Sequence, residues 1–155
     1  MNSSSTKNVL VTGVTSGVGR SLARLLKDRG YFVIATCRNE EQAANLRSEN
    51  LCDSVVFADL GIIETVQSVP QQLRDQGVNQ LDGFLHCAAI SVASPIETVT
   101  MENVRHAFEV NVFGFLALMQ GLIEPLRNAK GRMVLTGSVA GFSVWPMLVP
   151  FPPLV

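Results

Sequence analysis

The sequence predicts an α/β fold in which a parallel sheet is covered by helices on both faces. Short, nearly continuous apolar runs alternate along the chain with segments whose apolar residues recur at helical spacing. A glycine-rich turn joins the first apolar run to the first helical segment. The composition fits one globular domain: 155 residues, 47% hydrophobic and 16% charged, with a formal net charge of −1. A chain of that size buries roughly 70% of the surface it exposes when unfolded.

Asn8 to Thr12 is a β-branched run closed by Gly13 and reads as a buried strand. Beyond Gly19, Val18, Leu22, Leu25 and Leu26 fall on one stripe of a helix, with Arg20, Arg24, Lys27 and Asp28 off it, and Gly30 ends it. Tyr31 to Ala35 is the second strand and Glu40 to Glu49 the second helix. Ser54 to Ala58 is the third strand; the helical segment after it, running to Gln76, is expected to kink or restart at Pro70. Leu81 to His86 is the fourth strand. Thr100 to Asn128 is helical with a break, and Arg132 to Thr136 is the fifth strand. Gly141 to Val155 departs from this pattern: it is uncharged, and four of the chain's seven prolines fall in its last ten positions. That density suits neither a helix nor a central strand. The expected organisation is therefore a domain over 1–141 and an atypical Pro-rich apolar tail over 142–155.

Several function classes are excluded at this level. Twelve basic against thirteen acidic residues give no footprint for nucleic acid or an anionic membrane. Cys37, Cys52 and Cys87 are an odd number without paired spacing, as expected of small apolar residues in a reducing cytoplasm rather than of disulfides or a metal centre. The N-terminus lacks the basic and apolar stretches of a signal peptide. The uncharged run Val110 to Ile123 has 14 residues, too few to span a bilayer, and reads as a buried or interface helix.

The motif richest in chemistry is Thr12-Gly13-Val14-Thr15-Ser16-Gly17-Val18-Gly19, between the first strand and the first helix. Gly13 permits a tight turn, Gly17 lets a pyrophosphate approach the backbone, and Gly19 lets the helix pack close to the strand. The free N–H groups and the dipole of the helix N-terminus attract phosphate. No Gly-Lys-Ser/Thr follows, which excludes a P-loop.

The spacing Thr-Gly-x3-Gly-x-Gly resembles the short-chain dehydrogenase/reductase family in its simple, non-extended branch. Further positions resemble that family in order: Asp59-Leu60 after the third strand, Phe84-Leu85-His86-Cys87-Ala88-Ala89 where the family carries Asn-Asn-Ala-Gly, Asn111 followed by Gly114, and Gly131 to Gly141 around Ser138. The resemblance implies a Rossmann-like sheet of order 3-2-1-4-5, here lacking the later strands. It implies cofactor contacts at Thr12, Gly13, Thr15, Ser16, Gly17, Val18, Gly19, Asp59, Leu60, Cys87, Ala88 and Ala89. It also implies hydride transfer between a nicotinamide dinucleotide and an alcohol or carbonyl, and a homo-oligomer interface on the 107–128 helix. In the fourth-strand motif, His and Cys replace two asparagines and Ala89 replaces a glycine, so an added Cβ crowds the nicotinamide ribose. His86 reads as a satisfied strand histidine, and His106 and Glu109 as a solvated helix face.

A dinucleotide fold using NAD places an acidic residue about twenty positions beyond the glycine turn. Here the second strand ends Thr36-Cys37-Arg38 and no carboxylate comes before Glu40. Arg38 suits the 2′-phosphate of NADP(H), so NADP(H) is expected over NAD(H). The alternative for Arg38 is a loop-capping or solvent-facing role.

By the resemblance, catalysis belongs to Ser138, Asn111, a tyrosine near position 151 and a lysine near 155. The ammonium favours the phenolate, which is otherwise a poor base at pH 7. Those two positions are Phe151 and Val155, and the chain's one tyrosine, Tyr31, is on the second strand. Without a base, Ser138 donates a hydrogen bond or is a turn hydroxyl. Three readings follow: an oxidoreductase cut short by truncation or frameshift, a non-catalytic dinucleotide-binding module, or an unstable remnant with an exposed fifth strand.

Overall fold

A computed structural model of the chain describes residues 6–139. Five strands, β1 (Asn8–Val11), β2 (Phe32–Cys37), β3 (Ser54–Phe57), β4 (Gly83–His86) and β5 (Arg132–Leu135), form one parallel sheet in the order β3-β2-β1-β4-β5. This is the Rossmann-like order that was expected. Each strand is four to six residues long, and successive side chains enter opposite layers. Val9, Val11, Val33, Ala35, Cys37 and Val55 face one core, and Leu10, Ile34, Val56 and Phe84 the other. The near-continuous apolar runs arise from this two-sided burial.

The first core is closed by α1 (Gly17–Asp28), through Ala23, and by α2 (Glu40–Ser48), through Ala43 and Leu46. The second is closed by α3 (Ile63–Gln67), α4 (Val69–Asp75) and the long helix over 101–129, which contribute Val66, Val69, Leu73, Leu118, Leu122 and Leu126. Asp53 anchors the far end of β2: its carboxylate accepts from Val33 N–H at 2.8 Å and pairs with Lys27 of α1.

Several boundaries differ from expectation. Thr12 lies just past β1, α1 starts at Gly17 rather than beyond Gly19, and β2 runs on through Thr36 and Cys37. The restart at Pro70 is borne out: α3 ends before Ser68 and Pro70 sits in the first turn of α4, where a missing N–H is spare. Leu81 precedes β4, because its N–H is taken by Pro125 O at 3.0 Å. The break expected in the long helix is instead a π-helical stretch, Glu109–Gly114, joining α5 (Met101–Phe108) to α6 (Phe115–Ala129) without interruption.

The 14-residue uncharged run therefore belongs to a 29-residue helix, which by length and composition alone is long and apolar enough to cross a bilayer. One side of that helix packs on the sheet, while Phe108, Phe113, Leu116 and Ile123 are exposed. Among the described residues β5 is the sheet edge, with Val134 56% exposed. The tail over 142–155, including Phe151 and Val155, lies outside the described residues, as do Ala140 and Gly141.

Candidate functional site

In a parallel sheet wound on both sides, the crevice opens at the carboxyl ends of the strands where the winding reverses. Here the reversal lies between β1 and β4, and a cleft of about 480 Å³ opens there. Its walls come from the turn Gly13 to Val18, from Thr36-Cys37-Arg38 at the end of β2, from Ala58-Asp59-Leu60 after β3, and from Cys87 to Ile90 after β4. Gln42, His106, Val110 and Thr136 complete it.

The glycine turn has the local geometry that the sequence implied. Gly13 has φ +72°, and a Cβ there would stand 2.8 Å from Ala88 N, so the turn touches the segment after β4. A Cβ on Gly19 would stand 2.4 Å from Gly13 O, so α1 is seated directly on the turn. Gly17, with φ +55°, faces open space. The N-cap Ser16 makes no side-chain bond to the first turn of α1, and that turn carries no acidic residue. The first turn of α1 is thus left without a side-chain cap where Ser16, Gly17 and Val18 line the cleft, the arrangement an anion site requires. These features fit the pyrophosphate of a dinucleotide.

The remaining walls of the cleft carry Asp59, Arg38 and Cys87. Asp59 Oδ1 accepts from Gly61 N–H at 2.9 Å, fixing the carboxylate at the cleft wall below Leu60. Arg38 is exposed at the wall; its N–H donates to Gln42 Oε1 at 2.9 Å, and among the described residues its guanidinium pairs with no carboxylate. Cys87 accepts from Thr136 Oγ1 at 3.3 Å, tying the segment after β4 to the end of β5.

Thr12, Gly19, Asn111 and Ser138 stand apart from the described lining. Thr12 and Gly19 lie behind the turn and shape it. Asn111, inside the π-helical stretch, bonds twice to the backbone of Ile90, with Oδ1 accepting at 2.9 Å and Nδ2 donating at 2.8 Å. π-Helical turns recur at functional sites, and here the turn aims a carboxamide at the loop flooring the cleft. Gly114 lets this helix lie against Leu60, whose carbonyl oxygen would be 2.0 Å from a Cβ. Ser138 is half-buried just beyond β5.

His86 is 8% exposed, with its ring between Phe84 and Phe115 and its Nδ1 3.0 Å from Thr12 Oγ1. It is the satisfied strand histidine that was expected, and burial pushes its pKa down to about 4. The Cys37 and Cys52 thiols are pushed up, chiefly by burial. His106 is exposed as expected, yet it also lines the cleft. Among the described residues no cluster of His, Cys, Asp and Glu is gathered as a metal would need.

Sequence reasoning missed Thr36, Cys37, Gln42, Ala58, Ile90, His106, Val110 and Thr136 as lining residues. Thr36 is next to last in β2, and Ala58 and Thr136 directly follow β3 and β5, so the rule that ligands bind at the carboxyl ends of parallel strands could have found them. His106 and Val110 carry no such signal, because α5 and the π-helical stretch after it reach the cleft only through tertiary packing.

The short chain dehydrogenase family profile matches residues 7–152. The chain is 31% identical over 140 residues to dehydrogenase/reductase SDR family member 9 of Homo sapiens, covering 87% of this chain and 43% of that protein. It is 33% identical over 138 residues to retinol dehydrogenase 16 of Rattus norvegicus, covering 87% and 44%. The structure superposes with a TM-score of 0.83 and 26% identity on a short chain dehydrogenase of Shigella flexneri complexed with NADP, over 92% of this chain and 63% of that one. The chain thus spans about half the length of the curated relatives it matches.

Proposed function

This chain belongs to the short chain dehydrogenase family, and from that premise we propose that it binds a nicotinamide dinucleotide, NADP(H) in preference to NAD(H), as the cofactor half of an oxidoreductase acting on alcohols or carbonyls. The single observation that carries the binding reading is the uncapped first turn of α1 facing the cleft beside Gly13 and Gly17. The Shigella flexneri relative, similar over 92% of this chain, is complexed with NADP.

The residues divide the work by position. Backbone N–H groups of Ser16 to Val18 receive the pyrophosphate, and Gly17 leaves room for it. Asp59 and Leu60 border the adenine end, and Arg38 meets the 2′-phosphate with a charge-assisted bond. Cys87, Ala88 and Ala89 flank the nicotinamide ribose. The dinucleotide, when bound, supplies or accepts a hydride at its nicotinamide ring. Ser138 orients a substrate oxygen by donating its hydroxyl, and Asn111 fixes the loop beneath it. A tyrosine and lysine are needed for the proton, and Phe151 and Val155 cannot exchange one.

That last observation favours a second reading for the 155 residues alone: a dinucleotide-binding module without turnover. The exposed Phe108, Phe113, Leu116 and Ile123 side of the long helix supports self-association there. The proposed setting is the cytoplasm, supported by three free cysteines.

Fluorescence titration with NADPH and NADH is the test. NADPH binding at least about threefold tighter than NADH supports the cofactor choice, a smaller ratio overturns it, and no binding overturns the reading of the cleft. NADPH consumption on a panel of ketones and aldehydes separates oxidoreductase from binding module.

A further inference from the structure

Three polar atoms converge on one hydroxyl at the back of the cleft. The backbone nitrogens of Cys87 and Ala88 lie 3.0 and 3.1 Å from Thr12 Oγ1, and His86 Nδ1 lies 3.0 Å from it. A hydroxyl has two lone pairs and one proton, and a backbone N–H can only donate. The two amides therefore take both lone pairs, and the one proton is left for His86. Nδ1 must accept it, so the ring is the neutral tautomer with its own proton on Nε2.

We propose that His86 is a positioning residue for the cofactor cleft: by accepting the Thr12 proton it turns the Thr12 lone pairs toward Cys87 and Ala88, and so staples the glycine turn to the segment after β4. The staple lies where those two walls touch, since a Cβ on Gly13 would stand 2.8 Å from both Ala88 N and Cys87 C. Thr12 is fully buried, so a hydroxyl without an acceptor has no water to turn to. It would rotate to satisfy its proton and release one amide, or leave the proton unbonded. The groups packed on the ring are Phe84 of β4, Phe115 of α6 and Thr12, with Leu135 paired opposite on β5. None of these is charged, so nothing from those elements draws a proton onto the ring.

The inference rests on the cofactor reading of the cleft, and its test separates the two. In the full chain, His86→Leu removes the acceptor with little change of volume. His86→Asn keeps it, because the asparagine Oδ1 stands one bond beyond Cγ as Nδ1 does. At pH 7, His86→Leu and Thr12→Val are each expected to weaken NADPH binding about tenfold, and the double variant no further. His86→Asn is expected to recover binding to within about threefold of the parent. His86→Leu binding as tightly as the parent, or His86→Asn binding as weakly as His86→Leu, overturns the proposal while leaving the cofactor reading intact. The ¹⁵N spectrum of the parent protein without cofactor decides the matter even where a variant does not fold. The Nε2–H tautomer at pH 7 supports the staple, and an Nδ1–H ring or an imidazolium overturns it. Absence of NADPH binding by the parent overturns the cofactor reading instead.

Discussion

Asn111 holds Ile90 at two points: its Oδ1 accepts the Ile90 N–H at 2.9 Å, and its Nδ2 donates to the Ile90 carbonyl at 2.8 Å. This pair joins the π-helical stretch Glu109–Gly114 to the floor of the cleft. Asn111→Ala removes both bonds and leaves a half-buried N–H and carbonyl to find other partners, so the expected loss is roughly 2 kcal/mol in urea unfolding. Asn111→Asp keeps an acceptor but turns a carboxylate toward the Ile90 carbonyl, and is expected to be no more stable than Ala. An aspartate variant as stable as the parent would show that the donated bond contributes nothing.

Arg38 is the discriminating residue at the adenosine end. Arg38→Ala is expected to weaken NADPH binding about tenfold or more, the scale of one lost charge-assisted bond. NADH affinity should change less than about twofold, because it has no phosphate there. Equal losses for both cofactors would place Arg38 in a general electrostatic or loop-capping role.

Two glycines in one turn should fail differently. Gly19→Ala sets a Cβ 2.4 Å from Gly13 O and 2.8 Å from Thr12 O, backbone atoms that cannot step aside. Its expected cost is roughly 3 kcal/mol, read as a lowered Tm. At Gly17 nothing lies within 4 Å, and the penalty is only that of φ +55°, about 1 kcal/mol. Gly17→Ala should nevertheless weaken NADPH binding, since the open space is where a phosphate fits. A Tm for Gly17→Ala as low as that of Gly19→Ala would contradict the open geometry.

His86 makes stability depend on pH. Its proton affinity falls on folding, from an ordinary 6.5 to about 4, so the fold favours the neutral ring. Its contribution is present above pH 6.5 and is lost as the pH falls from 6.5 through 4, reaching roughly 3 kcal/mol. His86→Asn lacks this term, so its stability relative to the parent should improve steadily between pH 7 and pH 4 in urea unfolding. Parallel pH profiles for parent and variant would refute the assignment.

The sheet was legible because each strand is buried on both faces, which leaves short apolar runs such as Val9-Leu10-Val11 and Val33-Ile34-Ala35. The glycine turn was legible because its spacing is a steric requirement: Gly13 and Gly19 each leave no room for a Cβ. The π-helical stretch was not, since a shift from i+4 to i+5 bonding leaves no mark on Glu109 to Gly114 beyond an expected break. The role of Thr12 was half-legible. Its place in the motif was evident, but its three partners at 86–88 are brought to it by the β1–β4 pairing, which spans more than seventy residues. His106 and Val110 reach the cleft in the same long-range way.

The burial of the cysteines turns the chain into its own reporter. Cys37 and Cys52 are buried and their thiols resist ionisation, so in the folded protein they should stay silent toward a thiol-specific dye. Cys87 is half-buried at the cleft wall and within reach. One fast-reacting thiol per chain, slowed by NADPH, would report occupancy. The two slow ones, appearing together, would time global opening without any label being introduced.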